Sequence, residues 1–397
     1  MKTKRRKALF LAIKVALAVA LLVWVFGRVH WNDYVKAAGS GETYSVLETR
    51  TSPDERQQVL VRKGMLWWRT RELRPRTDFE PVSQKGDEIV RPGLATTFRN
   101  IDRVLLPVAA SGFVLSLLTI AVRWWYLLRI QEIRIRLWEA VRLTFLGQFF
   151  NTVVPGTVGG DLVKAYYVAQ HTPRKAGVLI CVFVDRVLGL AELTLMAAVM
   201  VAVLLGSGLM SFAELRAAAV MVVVVLGMVV ATATFLLSGR VRRALHLQRL
   251  YQRTRIAHHM AAAGEAARIY GRNLPALGLS LLITLVAHIF FIGAIALLGK
   301  ALALQTPWYT YFVYAPLIYI IGAIPITPGG VGVVEGAYRS FFCPPVPVPQ
   351  VLALALLARL LPIFWGLPGI LVAVTGPKLP KAEEIDAELA AGGDGAA

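Results

Sequence analysis

The chain has 397 residues, is 56% hydrophobic, and carries a mean hydropathy of +0.60 and a formal charge of +19. That apolarity excludes an ordinary soluble protein, since several runs reach the ~20 residues a helix needs to cross a bilayer. The positive charge does not point to nucleic acid, because it collects in the loops between apolar runs and no nucleic-acid-binding motif accompanies it.

Residues 1–29 form the first element. Met1–Lys7 reads MKTKRRK, and Ala8–Phe26 is one apolar run. A secretory signal has the same plan, but this run is long and no small-residue cleavage site follows. The segment is expected to stay as an anchor helix with its N-terminus in the cytoplasm. Residues 30–102 are polar and carry both signs of charge. Alternating pieces at Tyr44–Thr49 and Gln57–Trp68 suggest strands, with a turn at Lys63-Gly64. After one outward span this insert is expected outside the cytoplasm, with Trp67 and Trp68 packed in a small β core, the alternative being that they rest on the membrane surface.

Val104–Val122 is the second span. It ends in Arg123-Trp124-Trp125-Tyr126, which reads as an interfacial anchor, and Arg129, Arg134, Arg136 and Arg142 make the next loop cytoplasmic. Leu143–Val158 is apolar but short, and Asn151 and Pro155 interrupt it. Lys164, Arg174 and Lys175 follow, so basic flanks on both sides predict a re-entrant hairpin from the cytoplasmic face. Ala176–Leu205 crosses outward carrying Asp185-Arg186, and Ala217–Leu237 returns.

The next loop holds eight arginines between Arg240 and Arg272. Their spacing allows an amphipathic helix on anionic lipid, and an ordinary topogenic loop has the same composition. Leu274–Leu298 crosses outward. Tyr309–Phe342 contains a second broken stretch with little charge in its flanks, read as a re-entrant pair entering from outside. Val351–Thr375 crosses inward with Arg359, and residues 376–397 are a polar tail expected to be disordered and cytoplasmic. Cys181 and Cys343 lie in apolar segments and form no framework, so they read as packing residues.

The expected fold is therefore all-α, a polytopic membrane domain over residues 103–375 preceded by an anchor and a small extracytoplasmic insert with β character. It has about six spanning helices and two re-entrant helical hairpins. Its organising stretch is Ile324–Glu335, IPITPGGVGVVE, which breaks an apolar run with prolines and glycines. Broken backbone at membrane depth survives only where protein or a water-filled cavity satisfies it. Pro155–Asp161, PGTVGGD, echoes it: Pro155, Thr157, Gly159 and Gly160 match Pro325, Thr327, Gly329 and Gly330 without a gap. With hairpins entering from opposite faces, the echo predicts an inverted repeat, the architecture of many transporters. Glycine and proline are common in membrane helices, so chance is the competing explanation.

An ionisable side chain inside a span costs at least ~2.5 kcal/mol on insertion scales, so it is a functional candidate by default. Asp185, Arg186, Glu335 and Arg359 qualify. Arg186 and Arg359 each follow a broken stretch at a similar distance, and the free N–H groups of a half-helix favour anions. Two guanidiniums plus two helix starts suit a phosphate, which Arg grips in a bidentate fork. The alternative is that Asp185–Arg186 and Glu335–Arg359 are ion pairs that only hold the bundle. His288 reads as a packed, hydrogen-bonded residue. No H-E-x-x-H, G-x-S-x-G or Walker A sequence occurs, and no His/Cys cluster, so neither enzyme chemistry, metal nor cofactor is expected.

The segments FFNTVVPGTVGGDLVKAYYV, FVDRVLGL and AIPITPGGVGVVEGAY, with Arg123-Trp124, resemble the transmembrane domain of lysylphosphatidylglycerol synthases over roughly residues 104 to 375. In those synthases the domain is a flippase for aminoacylated phospholipid, and stand-alone relatives are connected with hopanoid transport and lipid-linked sugar pathways. The resemblance implies that Asn151, Gly160, Asp161, Asp185, Arg186, Pro328, Gly329, Gly330 and Glu335 match characteristic positions. The soluble aminoacyl-transferase domain is absent from these residues, so synthase activity is not carried over. The insert departs from the usual pattern, which leaves the substrate open.

The function expected is translocation of an anionic phospholipid or lipid-linked head group across the inner membrane. Pro155, Gly159, Pro325, Thr327 and Arg359 join the implied positions as candidate site residues. Two other classes compete. One is a scaffold that docks envelope-synthesis proteins through residues 30–102, and the other is a membrane-embedded transferase, against which the lack of a catalytic constellation argues.

Overall fold

The computed structural model describes residues 30–38, 42–51, 57–63, 70–80, 89–153, 159–237, 268–343 and 346–376, together with Ala16, Ala20 and Val23, which are helical. Most of the expected first span lies outside these residues. So do Trp67, Trp68, Pro155, Thr157, the loop residues 238–267 and the tail beyond Gly376. The described residues are mostly helical, with one small antiparallel sheet and five helices long and apolar enough to cross a membrane. They fall into two compact units.

The first unit takes residues up to Pro107, Leu297–Thr306 and Val331–Ala358. Its sheet has four strands in sequence order: β1 (Tyr34–Lys36), β2 (Thr43–Thr51), β3 (Gln57–Lys63) and β4 (Thr70–Pro75). The two runs read as strands became β2 and β3. Alternation drives them, since Val59 and Val61 point to one face and bury against Val35, Ala37, Tyr44, Phe79 and Ile89. The β2–β3 register shifts between Val46 and Glu48. Lys63 pairs with Thr70, so the β3–β4 connection spans residues 64–69. The short helix α1 (Leu94–Arg99) starts where the Gly93 N–H donates to the Asp33 carboxylate at 2.8 Å.

The second unit takes Val108–Ala296, Pro307–Gly330 and Arg359 onward. It contains most of α2 (Leu105–Ile130) and α7 (Leu274–Ala301), and all of α3 (Leu137–Val153), α4 (Gly159–Gln170), α5 (Lys175–Gly206), α6 (Phe212–Leu237) and α8 (Trp308–Ala323). The sequence beyond continues as α9 (Val333–Phe342), α10 (Val348–Gly366) and α11 (Pro368–Thr375). The Asp102 carboxylate caps α2 by accepting from the Val104 and Leu105 amides, which hold its pKa below the usual carboxylate range. On α6, Val220, Val223 and Val224 are 54–70% exposed, an apolar face of the kind lipid covers. The 32 residues of α5 reach about 48 Å at 1.5 Å each, beyond the ~30 Å hydrocarbon core.

The helical core of this unit gathers Trp124, Leu127 and Leu128 of α2 with Leu143 and Leu146 of α3, Ala165 and Val168 of α4, and Val178 and Cys181 of α5. The Tyr270 hydroxyl donates to the Leu127 carbonyl at 2.9 Å and closes it. Helices α3 and α4 form a tight hairpin, α4 packs on α5, α8 on α5, and α11 on α3. The Trp125 indole donates to the Ile135 carbonyl at 3.0 Å with the Arg129 guanidinium 4.4 Å from its ring, as an interfacial anchor would. Arg123 and Trp124, read as part of that anchor, are instead 5% and 0% exposed.

Candidate functional site

Asp185 and Arg186 are neighbours on α5, so their side chains leave the helix about 100° apart and face different partners. Asp185 turns to α2, where the Arg123 Nε donates to its Oδ1 at 2.8 Å. The Arg123 Nη1 donates to the Thr284 hydroxyl of α7 at 3.1 Å. Arg186 turns to α4, where its Nε donates to the Asp161 Oδ2 at 2.6 Å and its Nη2 joins the same oxygen. The other Asp161 oxygen takes the Lys164 ammonium at 2.9 Å. In place of the Asp185–Arg186 pair weighed as the alternative there are two pairings between helices. Lys164, read as a loop cation, is 4% exposed. Its ammonium lies 5.0 Å from the Trp124 ring centroid, a cation–π distance.

Two turns along the same face of α5 is Glu192, and one turn along α7 from Thr284 is His288. They meet as a second rung, with the His288 Nδ1 on a Glu192 carboxylate oxygen. His288 is hydrogen-bonded as expected. Glu192 was missed, although the rule that selected Asp185 applies to it equally.

These rungs border one cavity of about 620 Å³, within the ~300–1,000 Å³ of small-molecule sites. Asn151, Asp161, Asp185, Arg186, Arg123, Lys164 and His288 line it, among apolar residues of α2, α4, α5 and α8. Its walls carry three formal cations and two carboxylates. Of the three cations Arg186 is the accessible one, with a side chain 38% exposed against 5% for Lys164 and 6% for Arg123.

The hairpin that presents Asp161 depends on a close backbone approach. The Gly160 N–H donates to the Asn151 Oδ1 at 2.8 Å, and a Cβ at Gly160 would lie 1.8 Å from the Gly147 carbonyl oxygen. Gly159 opens α4 beside it. Asp161, in the first turn, already supplies the negative charge that the helix start favours.

The second broken stretch is built differently. Gly329 and Gly330 lie in a 3-10 turn at φ 60° and 65°, left-handed conformations that exclude most side chains. The Gly330 N–H donates to the carbonyl of Thr327, which is 2% exposed. Pro325 and Pro328 flank Ile326-Thr327, and the glycines follow Pro328 directly. Arg359 donates to the carbonyls of Gly329 and Gly330 at 3.0 and 3.3 Å, so it clamps the turn. Glu335, 2% exposed, accepts from the Gly332 N–H at 2.7 Å and caps α9. The two helix starts expected to receive phosphate are therefore served by the chain's own acids. None of Pro325, Thr327, Pro328, Gly329, Gly330, Glu335 and Arg359 lines the cavity. No group of three or more His, Cys, Asp or Glu side chains that could hold a metal occurs among the described residues.

A family model described as the lysylphosphatidylglycerol synthase TM region matches residues 93–369, from within the segment read as the insert to the start of α11. A search of curated proteins found no match.

Proposed function

The chain belongs to the family of the lysylphosphatidylglycerol synthase TM region, and we propose that it moves an anionic phospholipid or lipid-linked head group between leaflets. It is a multi-pass membrane protein with several apolar helices. The observation that carries the reading is the excess of cation over carboxylate around a cavity bordered by three candidate spans, α2, α5 and α7. Buried ionisable groups in spans are expensive and mark substrate paths. Arg186 leaves Asp161 to receive the phosphate in a bidentate fork, while Lys164 keeps hold of Asp161 and Arg123 of Asp185. The acyl chains stay in lipid as the cavity opens to each side in turn.

On this reading the chain makes and breaks no covalent bond. Residues 103–375 form the transport domain in the inner membrane, with a helix–break–helix element in each half acting as re-entrant hairpins of an inverted repeat. Residues 1–29 anchor the chain, residues 30–102 lie outside the cytoplasm, and both termini and the tail 376–397 are cytoplasmic. Thiol labelling checks the topology in a variant lacking Cys181 and Cys343. A cysteine at Ser52 should react from outside and one at Ser238 from the cytoplasm, and the reverse pattern would overturn the scheme.

The function is tested with purified protein in vesicles holding fluorescent phosphatidylglycerol, phosphatidylethanolamine or phosphatidylcholine. A membrane-impermeant quencher should bleach nearly all labelled phosphatidylglycerol, against about half in empty vesicles, because flipped lipid keeps returning to the outer leaflet. Bleaching that stays at half for every lipid refutes the flippase reading and favours the scaffold.

A further inference from the structure

We propose that the Glu192–His288 pair is a proton site coupled to the cavity, so that an anionic head group and a proton bind together. This rests on the reading of the cavity as an anion site. Both residues lie inside candidate spans, and Glu192 is 2% exposed. One of its oxygens meets His288, and the other, Oε1, is buried without a hydrogen-bond partner. A purely structural carboxylate in that position would be expected to have both oxygens satisfied. The orphan oxygen is where a proton can sit. His288 lines the cavity and links the acid to it.

The charges set the direction. Around the cavity are Arg123 on α2, Asp161 and Lys164 on α4, Asp185 and Arg186 on α5, and the neutral Tyr319 on α8. Helix α6, which also packs on α5, carries only Glu214 and Arg216, in its first two turns. The five charged cavity groups sum to one positive charge. A Glu192 carboxylate beside a neutral His288 cancels it, so the resting cluster is neutral. A phosphodiester head group adds one negative charge at low dielectric. Uptake of one proton from water by the pair, as imidazolium or carboxylic acid, restores neutrality. Each ligand therefore favours the other, and linkage makes the effect reciprocal. The head group leaves more readily once the pair has lost its proton, so a transmembrane pH difference can drive transport.

The test is calorimetric titration of the purified full chain with short-chain phosphatidylglycerol in two buffers of different ionisation enthalpy. The wild type should take up close to one proton per lipid over part of the titrated pH range, and its affinity should fall by up to about tenfold per unit rise in pH there. Glu192→Gln and His288→Gln should bind with no proton uptake and a flat pH dependence. Should one variant not fold, the other reads the same quantity. Wild-type binding without proton uptake overturns the coupling and leaves the lipid reading standing. Uptake that persists in both variants places the proton elsewhere and overturns the assignment. Absence of binding at every pH overturns the anion site and the coupling with it.

Discussion

Gly160→Ala is the sharpest perturbation of the hairpin that holds Asp161. The new Cβ would sit 1.8 Å from the Gly147 carbonyl oxygen, 2.6 Å from its carbon and 2.8 Å from the Asn151 Cγ. Two of the three are backbone atoms of α3, so no rotamer change relieves the clash, and α4 must move away by more than an ångström. That movement stretches the 2.8 Å bond from the Gly160 N–H to Asn151. Overpacking costs about 1–3 kcal/mol, and a weakened buried hydrogen bond adds roughly 1 kcal/mol. Together, roughly 2–4 kcal/mol should lower the equilibrium constant between intact and opened hairpin about 30- to 700-fold. The control is Gly227→Ala on α6, where an added Cβ meets nothing within 4 Å and the better helix propensity is worth about 0.5–1 kcal/mol. Thermal unfolding in detergent, followed by monodispersity, should show a clear loss for Gly160→Ala and none for Gly227→Ala. Transport should fail in the first and persist in the second. Equal melting of the two variants would refute the close helix approach.

Three further outcomes follow from the same geometry. Arg123→Leu or Asp185→Asn alone leaves a buried charge or donor unpaired and should cost about 3–5 kcal/mol, whereas Arg123→Leu with Asp185→Leu should recover much of it in the same melting assay. Arg186→Lys should keep the fold but cut the flipping rate at least tenfold, because a point charge replaces the guanidinium fork; a wild-type rate would take Arg186 out of the binding site. Arg359→Gln should loosen the Gly329–Gly330 turn, seen as faster hydrogen exchange at residues 327–332, and unchanged exchange would mean the clamp does not hold it.

The spans were legible in the sequence because a membrane leaves little choice. Val104–Val122 became α2 from Leu105 to Ile130, and Ala176–Leu205 became α5 within a residue at each end. The second break was legible too, since Pro325, Pro328, Gly329 and Gly330 fall between α8 and α9, although Pro316 and Pro362 are carried inside helices. Partners were not. Arg123 and Lys164 were read from their flanks as interfacial or loop cations, yet the helices carry them inward to Asp185 and Asp161. Which face of a helix turns inward depends on its rotation against neighbours more than a hundred residues away, as with Thr284, and no local pattern records that. The likeness of the two broken stretches also hides a difference. Gly160 is needed for a helix crossing, whereas Gly329 and Gly330 are needed for their backbone angles.

The packing of α11 on α3 bears on how the chain is made. A Cβ at Gly369 would lie 2.3 Å from the Phe145 carbonyl oxygen, so α11 lies directly on α3. A ribosome adding 5–20 residues per second needs roughly 10–45 s to travel from Phe145 to Gly369. For that interval the α3–α4 hairpin waits in the translocation machinery or the bilayer without its neighbour, with Asp161 and Lys164 already synthesised and close enough along the chain to neutralise each other. Arg186 arrives within seconds, so the charged triad can assemble during synthesis, well before the helix that locks it in place.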